Sequence, residues 1–180
     1  MAGWLSMVTA GAGEPARGLA SGPQIGDKIS TFYVRAVTGP LKSKSVCYVC
    51  RNGDRPVVML FIRQITPGLQ DLLKGLDAEI DRQRGVGLRG FGVFVPGEIP
   101  DLFSRVQTLS FDEKLNLPLT IAAAPADGSA GGAIHPEAAV TVVLYRDLIV
   151  KANFACRADE LNAERIAEIL EAVRQLATSE

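Results

Sequence analysis

Two cysteines separated by two residues, Cys47 and Cys50, are the clearest chemical feature of the sequence. A C-x-x-C pair can exchange a disulfide with a partner, hold a metal ion or brace a loop. If residues 46–50 formed a regular strand, the two Cα atoms would lie about 10 Å apart, beyond the roughly 7 Å that a disulfide allows. A redox-active pair therefore requires the chain to turn between the two cysteines.

Positive charge surrounds this pair in the sequence. Four cations flank it: Lys42, Lys44, Arg51 and Arg55. Nearby cations favour the thiolate form of a cysteine, which is the nucleophile in disulfide exchange. We therefore name Cys47 and Cys50 as candidate catalytic residues, with Arg51 and Arg55 in support. The sequence does not show which of the two sulfurs attacks.

Two further residues could join this chemistry. Alternate positions from Leu148 to Cys156 are apolar or small, so Cys156 is expected to be a buried core thiol; a resolving thiol is the alternative. His135 is the only histidine. With Cys47 and Cys50 it could form a zinc or copper site, although a surface histidine is the simpler interpretation. The sequence predicts no cofactor.

Composition limits the class of protein. The chain has 180 residues, 47% of them hydrophobic, and a formal net charge of -1, so it can bury a core but lacks the basic stripe of a nucleic-acid binder. No apolar run approaches the roughly 18 residues that span a bilayer. Residues 1–25 are predicted to be a flexible leader or signal-peptide remnant, ahead of one domain over residues 26–180. Export and a cytoplasmic location both remain open.

Hydrophobic periodicity predicts the elements that position the cysteines. Residues 56–62, "PVVMLFI", have the continuous apolar pattern of a central strand. Thr66 and Pro67 then mark the N-cap and first turn of a helix that runs to about Arg84. Residues 88–95 return as a parallel strand. The next expected elements are a short helix within 99–115, a strand over 117–122 and a loop over 123–133.

The last third of the chain predicts a hairpin and a helix. The runs "AVTVVLY" and "LIVKANFAC" are separated by Arg146 and Asp147, which is short enough for an antiparallel hairpin. A final amphipathic helix follows Asn162, its expected cap. Its apolar residues recur at helical spacing: Ile166, Ile169, Leu170, Val173 and Leu176.

This order of elements, with Pro136 just before the hairpin, resembles the thioredoxin-like superfamily, especially its peroxiredoxin and alkyl-hydroperoxide-reductase-like branch. The segments that carry the resemblance are "RPVVMLFIRQITPGLQDLLKGLDAEI", "LSFDEKLNLPLTI" and "HPEAAVTVVLYRDLIVKANFA". The resemblance implies an α/β fold, a three-layer α/β/α sandwich around a central mixed sheet. It also implies a cis peptide bond before Pro136, which we therefore include as a supporting residue.

The usual cysteines of that superfamily are missing from the place where the resemblance puts them, just after the strand at residues 56–62. The sequence there is "ITPGL", and Thr66 and Leu69 can form neither a thiolate nor a disulfide. Cys50 precedes this strand, which spans about 23 Å, and Thr66 follows it. The C-x-x-C is therefore expected near the opposite end of the strand, without the helix N-terminus that stabilises a thiolate.

Two functions remain from these observations. The first is thiol-disulfide exchange with a protein partner, through a displaced C-x-x-C on a peroxiredoxin-like fold. The alternative is a non-catalytic binding domain, for a protein or for zinc or copper, in which the C-x-x-C braces a loop.

Overall fold

A computed structural model of the chain describes residues 19–97, 99–123, 127–128 and 132–178. Strands and helices alternate along most of it. The elements, in chain order, are β1 Val34–Ala36, β2 Ser45–Val46, α1 Tyr48–Asn52, β3 Val57–Ile62, α2 Pro67–Arg82, β4 Arg89–Phe94, α3 Leu102–Asp112, β5 Leu119–Ala122, β6 Asp127–Gly128, β7 Gly132–Ala133, β8 Val140–Arg146, β9 Ile149–Cys156 and α4 Ala163–Thr178.

Seven of these strands form one mixed sheet in the order β2-β1-β5-β4-β3-β8-β9. Strands β3, β4 and β5 run parallel, and β8 pairs antiparallel with both β3 and β9. Because β1 is antiparallel to both β2 and β5, β2 runs in the same direction as β3. The predicted central strand, parallel return and terminal hairpin are confirmed. A small ribbon of β6 and β7 occupies part of the predicted loop.

Helices cover both faces of the sheet, since every residue of β3 is buried and its side chains alternate between two cores. Val58 and Leu60 pack with α2, α3 and α4 on one face. Met59 and Phe61 pack with α1 on the other face. The fold is thus the three-layer α/β/α sandwich that the sequence indicates.

Helix α2 begins where the sequence predicts, with Thr66 as N-cap and Pro67 in the first turn, and it ends at Arg82 rather than Arg84. The Thr66 side chain makes no capping hydrogen bond, and its hydroxyl is buried without a partner in the described part of the chain. Instead, the backbone carbonyl of Thr66 accepts a hydrogen bond from the N–H of Leu69 at 3.1 Å. Thr66 therefore has the position of a cap without its side-chain bond.

The hairpin differs from its prediction in two ways. Its turn is Asp147 and Leu148, both with positive φ, because Arg146 still pairs with Ile149 in the sheet. A bulge beside Tyr145 then shifts the register, so Leu148 packs against the α1 face whereas Cys156 lies in the core of the opposite face. The expected single face from Leu148 to Cys156 is wrong, because one extra residue reverses the alternation.

Residues from the end of the predicted leader contact the sheet. The Ser21 hydroxyl lies 2.7 Å from that of Thr141, and the side-chain amide of Asn153 donates to the carbonyls of Ser21 and Pro23 at 2.8 and 2.7 Å. The last part of the predicted leader therefore packs on the sheet. Residues 1–18, on which the signal-peptide prediction rests, lie outside the described residues. Among the described helices, none is both long and apolar enough to cross a membrane.

Candidate functional site

Cys47 and Cys50 are joined by a disulfide, and their Cα atoms are 5.3 Å apart. Strand β2 stops at Val46, and the chain enters α1 immediately after Cys47. A helical turn has a rise of only 1.5 Å per residue, which removes the separation that an extended chain would impose. The turn that a redox pair requires is therefore present.

The first cysteine is the N-cap of α1. Its backbone is extended, and its Sγ atom accepts a hydrogen bond from the N–H of Cys50 at 3.1 Å. A donor aimed at sulfur stabilises a thiolate more than a neutral thiol. The expected loss of a helix N-terminus is wrong: α1 rather than α2 provides it, although α1 has five residues and its effect is confined to this local N–H group.

The disulfide also lies at the other end of the sheet from the one expected. Val46 of β2 and Ala122 of β5 both pair with Val34 of β1, so they lie at the same level of the sheet. The residue before Ala122 is level with Ile62, the last residue of β3, through the pairing of β5 with β4 and of β4 with β3. Val46 therefore lies one residue beyond the end of β3. Because β2 and β3 point the same way, Cys47 leaves the sheet at the same end as Thr66. Four strand spacings, or about 19 Å, separate β2 from β3. The disulfide therefore lies at the sheet edge, distant from the start of α2.

The two halves of the disulfide differ in exposure. Cys47 is 6% exposed and belongs to the core beneath α1, whereas Cys50 is exposed to solvent. The difference comes from the side chains between them: Tyr48 and Val49 are buried, and the Tyr48 ring stacks on Phe91 at 5.1 Å. One face of α1 is thus anchored to the sheet, and Cys50 is on its outer side.

The two supporting arginines have different positions. Arg51 follows Cys50 on the exposed side of α1, and it partly offsets the burial that raises the pKa of the Tyr48 phenol. The Arg55 guanidinium donates to the carbonyls of Arg51 and Asn52 at 3.4 and 3.1 Å. Arg55 therefore satisfies the carboxyl end of α1, while Arg51 is exposed to solvent and follows Cys50 in the sequence.

Cys156 is far from this disulfide. It is fully buried in β9, at the opposite edge of the sheet from β2 and in the core of the opposite face. Burial raises the pKa of its thiol, and the neighbouring Arg165 opposes that change. The expected buried core thiol is confirmed, and the fold does not bring Cys156 within reach of Cys47 or Cys50 as a resolving thiol.

His135 and Pro136 are also separate from the disulfide. The Nδ1 atom of His135 accepts a hydrogen bond from the N–H of Glu137 at 3.1 Å, and the backbone N–H of His135 donates to the Ser21 hydroxyl at 3.0 Å. The described residues contain no group of three His, Cys, Asp or Glu side chains placed to hold a metal ion. The alternative zinc or copper set of Cys47, Cys50 and His135 is therefore not assembled.

The cis bond implied before Pro136 is wrong, since the described residues contain no cis peptide bond. The N–H of Ala138 donates to the carbonyl of His135 at 3.0 Å, which closes a turn with Pro136 in its second position. A trans proline supplies the backbone angle that this position needs. Pro136 thus shapes the entry to β8 and does not border the disulfide.

Sequence reasoning missed a cleft of about 530 Å³ beside α1. Tyr48 and Asn52, which are four residues apart and so share one face of the helix, line it together with Arg84 and Arg89. The pKa of Arg89 is lowered by partial burial and by repulsion from Arg55 and Arg84. The i, i+4 spacing within "YVCRN" was the available signal, but five residues are too few to predict a helix from periodicity.

No protein-family model matches the chain, and no curated protein matches it by sequence. Solved structures do match. A candidate protein disulfide isomerase from Bacteroides thetaiotaomicron has a TM-score of 0.67 at 14% identity, over 89% of this chain and 96% of that one. A secreted thiol-disulfide isomerase from Corynebacterium glutamicum has a TM-score of 0.61 at 12% identity, over 84% and 86%. Peroxidoxin BcpB from Mycobacterium tuberculosis has a TM-score of 0.59 at 15% identity, over 84% of this chain and 97% of that one.

The fold is thioredoxin-like. The resemblance seen in the sequence is confirmed at this level, because disulfide isomerases and a peroxidoxin match nearly the whole length of the chain. Identities of 12 to 15% show the fold alone. The activity must be argued from the disulfide at α1.

Proposed function

We propose that this protein is a thiol-disulfide oxidoreductase that exchanges its Cys47–Cys50 disulfide with protein thiols. The observation that carries the proposal is the disulfide itself, which joins two cysteines at the start of a helix with one half open to solvent. The thioredoxin-like fold supports it, because two of the solved structures that share the fold are named as disulfide isomerases.

The exchange follows from the chemistry of a dithiol pair. A partner thiolate attacks one sulfur of the disulfide, the bond between Cys47 and Cys50 breaks, and a mixed disulfide forms. A second partner thiolate then displaces the protein from the mixed disulfide. The partner gains a disulfide, and Cys47 and Cys50 gain two electrons and two protons. The same steps in reverse reduce a partner disulfide.

The start of α2 does not provide this chemistry. Thr66 is the N-cap there, its hydroxyl is buried, and it carries no thiol. Disulfide exchange therefore depends on α1, on the opposite face of the sheet. The non-catalytic alternative predicts instead that the Cys47–Cys50 bond stays formed and only braces α1 against the core.

Reduction of a disulfide-containing protein by the dithiol form tests the proposal. We expect stoichiometric transfer of two electrons from wild-type protein, and none from a Cys47→Ser, Cys50→Ser double variant. A Cys156→Ala variant is the matched control, since this thiol is buried away from the pair and its loss should leave the transfer unchanged. A double variant as active as wild type would refute the proposal.

A further inference from the structure

The two cysteines of the disulfide differ in exposure, and this difference bears on which sulfur a partner thiolate can attack. Cys47 is 6% exposed and packs in the core beneath α1, while Cys50 is exposed. An attacking thiolate must approach along the line of the sulfur–sulfur bond, on the side away from the leaving sulfur. The core closes that approach at Cys47 and leaves it open at Cys50.

Resting on the proposed function, we infer that partner thiols enter and leave through Cys50, the second cysteine of the C-x-x-C, and that Cys47 is the resolving sulfur. The partner is a protein dithiol or, in reverse, a protein disulfide. This assigns the two roles that the sequence leaves open.

The hydrogen bond at Cys47 favours the same order. When a thiolate attacks Cys50, the sulfur that leaves is Cys47, and its negative charge develops where the N–H of Cys50 already donates at 3.1 Å. A stabilised thiolate is the better leaving group in disulfide exchange. Attack at Cys47 would instead release Cys50, for which the described residues show no hydrogen bond donated to its sulfur.

A partner thiolate forms a bond to Cys50 Sγ, the bond between the two protein sulfurs breaks, and its electron pair leaves on Cys47 Sγ. A second thiolate of the partner attacks the partner sulfur of the mixed disulfide and releases Cys50 as a thiolate. The partner dithiol is oxidised to a disulfide, and the protein pair is reduced and takes up the two protons.

Arg51 fits this order of attack. It follows Cys50 on the exposed side of α1, where its charge attracts an incoming thiolate anion. Arg55, by contrast, is engaged with the carbonyls at the end of the helix. Arg51 thus adds positive charge to the solvent-exposed side of α1, which also carries Cys50.

The test locates the mixed disulfide. Oxidised protein carrying Cys156→Ala is mixed briefly with reduced glutathione, quenched with N-ethylmaleimide and digested, and mass spectrometry identifies the glutathionylated cysteine. We expect glutathione on Cys50 and maleimide on Cys47. Glutathione found mainly on Cys47 would overturn the inference while leaving the proposed function intact.

Single-cysteine variants provide a second, kinetic readout. In the same Cys156→Ala background, Cys47→Ser leaves only Cys50, and Cys50→Ser leaves only Cys47. Serine is a favourable N-cap, so α1 should persist in the first variant, and circular dichroism checks both. We expect iodoacetamide to modify Cys50 on the order of tenfold faster than Cys47, because access limits the buried thiol. Equal or reversed rates would overturn the inference; a wild-type disulfide that glutathione never opens would refute the proposed function as well.

Discussion

Replacing Tyr48 tests whether α1 holds the disulfide in place. Tyr48 is 7% exposed, and its ring stacks on Phe91 at 5.1 Å. Truncating a buried aromatic side chain to alanine costs about 3–5 kcal/mol, of which the ring stack accounts for about 0.5–1.5 kcal/mol. We therefore expect Tyr48→Ala to lower the free energy of unfolding by about 3–5 kcal/mol.

Tyr48→Phe is the matched control. The Tyr48 hydroxyl is buried without a hydrogen-bond partner in the described part of the chain, so its removal relieves an unsatisfied group and keeps the ring. We expect a change within about 1 kcal/mol, neutral or stabilising.

Urea unfolding of the oxidised proteins measures the change in the free energy of unfolding for both Tyr48 variants. After reduction, the rates at which iodoacetamide modifies Cys47 and Cys50 provide a functional readout. Tyr48→Ala should narrow the difference in rate between Cys50 and Cys47, because Cys47 is no longer held against the core. Tyr48→Phe should leave that difference unchanged. If Tyr48→Phe costs as much as Tyr48→Ala, or if Tyr48→Ala costs less than about 1 kcal/mol, the anchoring role of the ring is refuted.

Arg51→Ala should slow disulfide exchange with glutathione about threefold at low salt and less at high salt, whereas Arg55→Ala should weaken α1 without changing the salt dependence. Burial raises the pKa of the Cys156 thiol, so folding favours the protonated form and the free energy of unfolding should fall as pH rises above the ordinary cysteine pKa. Cys156→Ala should remove this contribution of Cys156 to the loss of stability at alkaline pH, measured by urea unfolding at a series of pH values. Asn162→Ala should lower the free energy of unfolding by about 1 kcal/mol, because the Asn162 side chain accepts a hydrogen bond from the N–H of Arg165 at 2.9 Å. Thr66→Ala should be nearly neutral, since the Thr66 side chain makes no capping bond. Equal losses of stability in urea unfolding would contradict this contrast.

Long, periodic elements were predictable from the sequence. The six buried residues of β3 show as an unbroken apolar run, and α2 shows as a leucine stripe behind Pro67. Asn162 was identified as a cap from its type and place alone, and its side chain does make the capping bond. In the strand and in the helix, several residues carry the same local signal, and tertiary packing agrees with it.

The surroundings of the disulfide were not predictable in the same way. Strand β2 has two residues and α1 has five, too few for either period to be recognised, so the helix N-terminus at Cys47 gave no signal. The direction of β2 is set by its pairing with β1, which depends on contacts distant in sequence. Leu148 adopts a positive φ at the hairpin, which propensity alone disfavours. The structure was needed to decide which sulfur faces solvent.

The most direct measurement is the equilibrium of Cys47 and Cys50 with glutathione, followed by the fraction of oxidised protein at defined ratios of reduced to oxidised glutathione. An exchange-active pair should titrate reversibly with two electrons and a midpoint between about -120 and -270 mV, the range of known oxidoreductases. A midpoint well below about -300 mV, or a pair that glutathione does not reduce, would show a structural disulfide and contradict the proposed oxidoreductase.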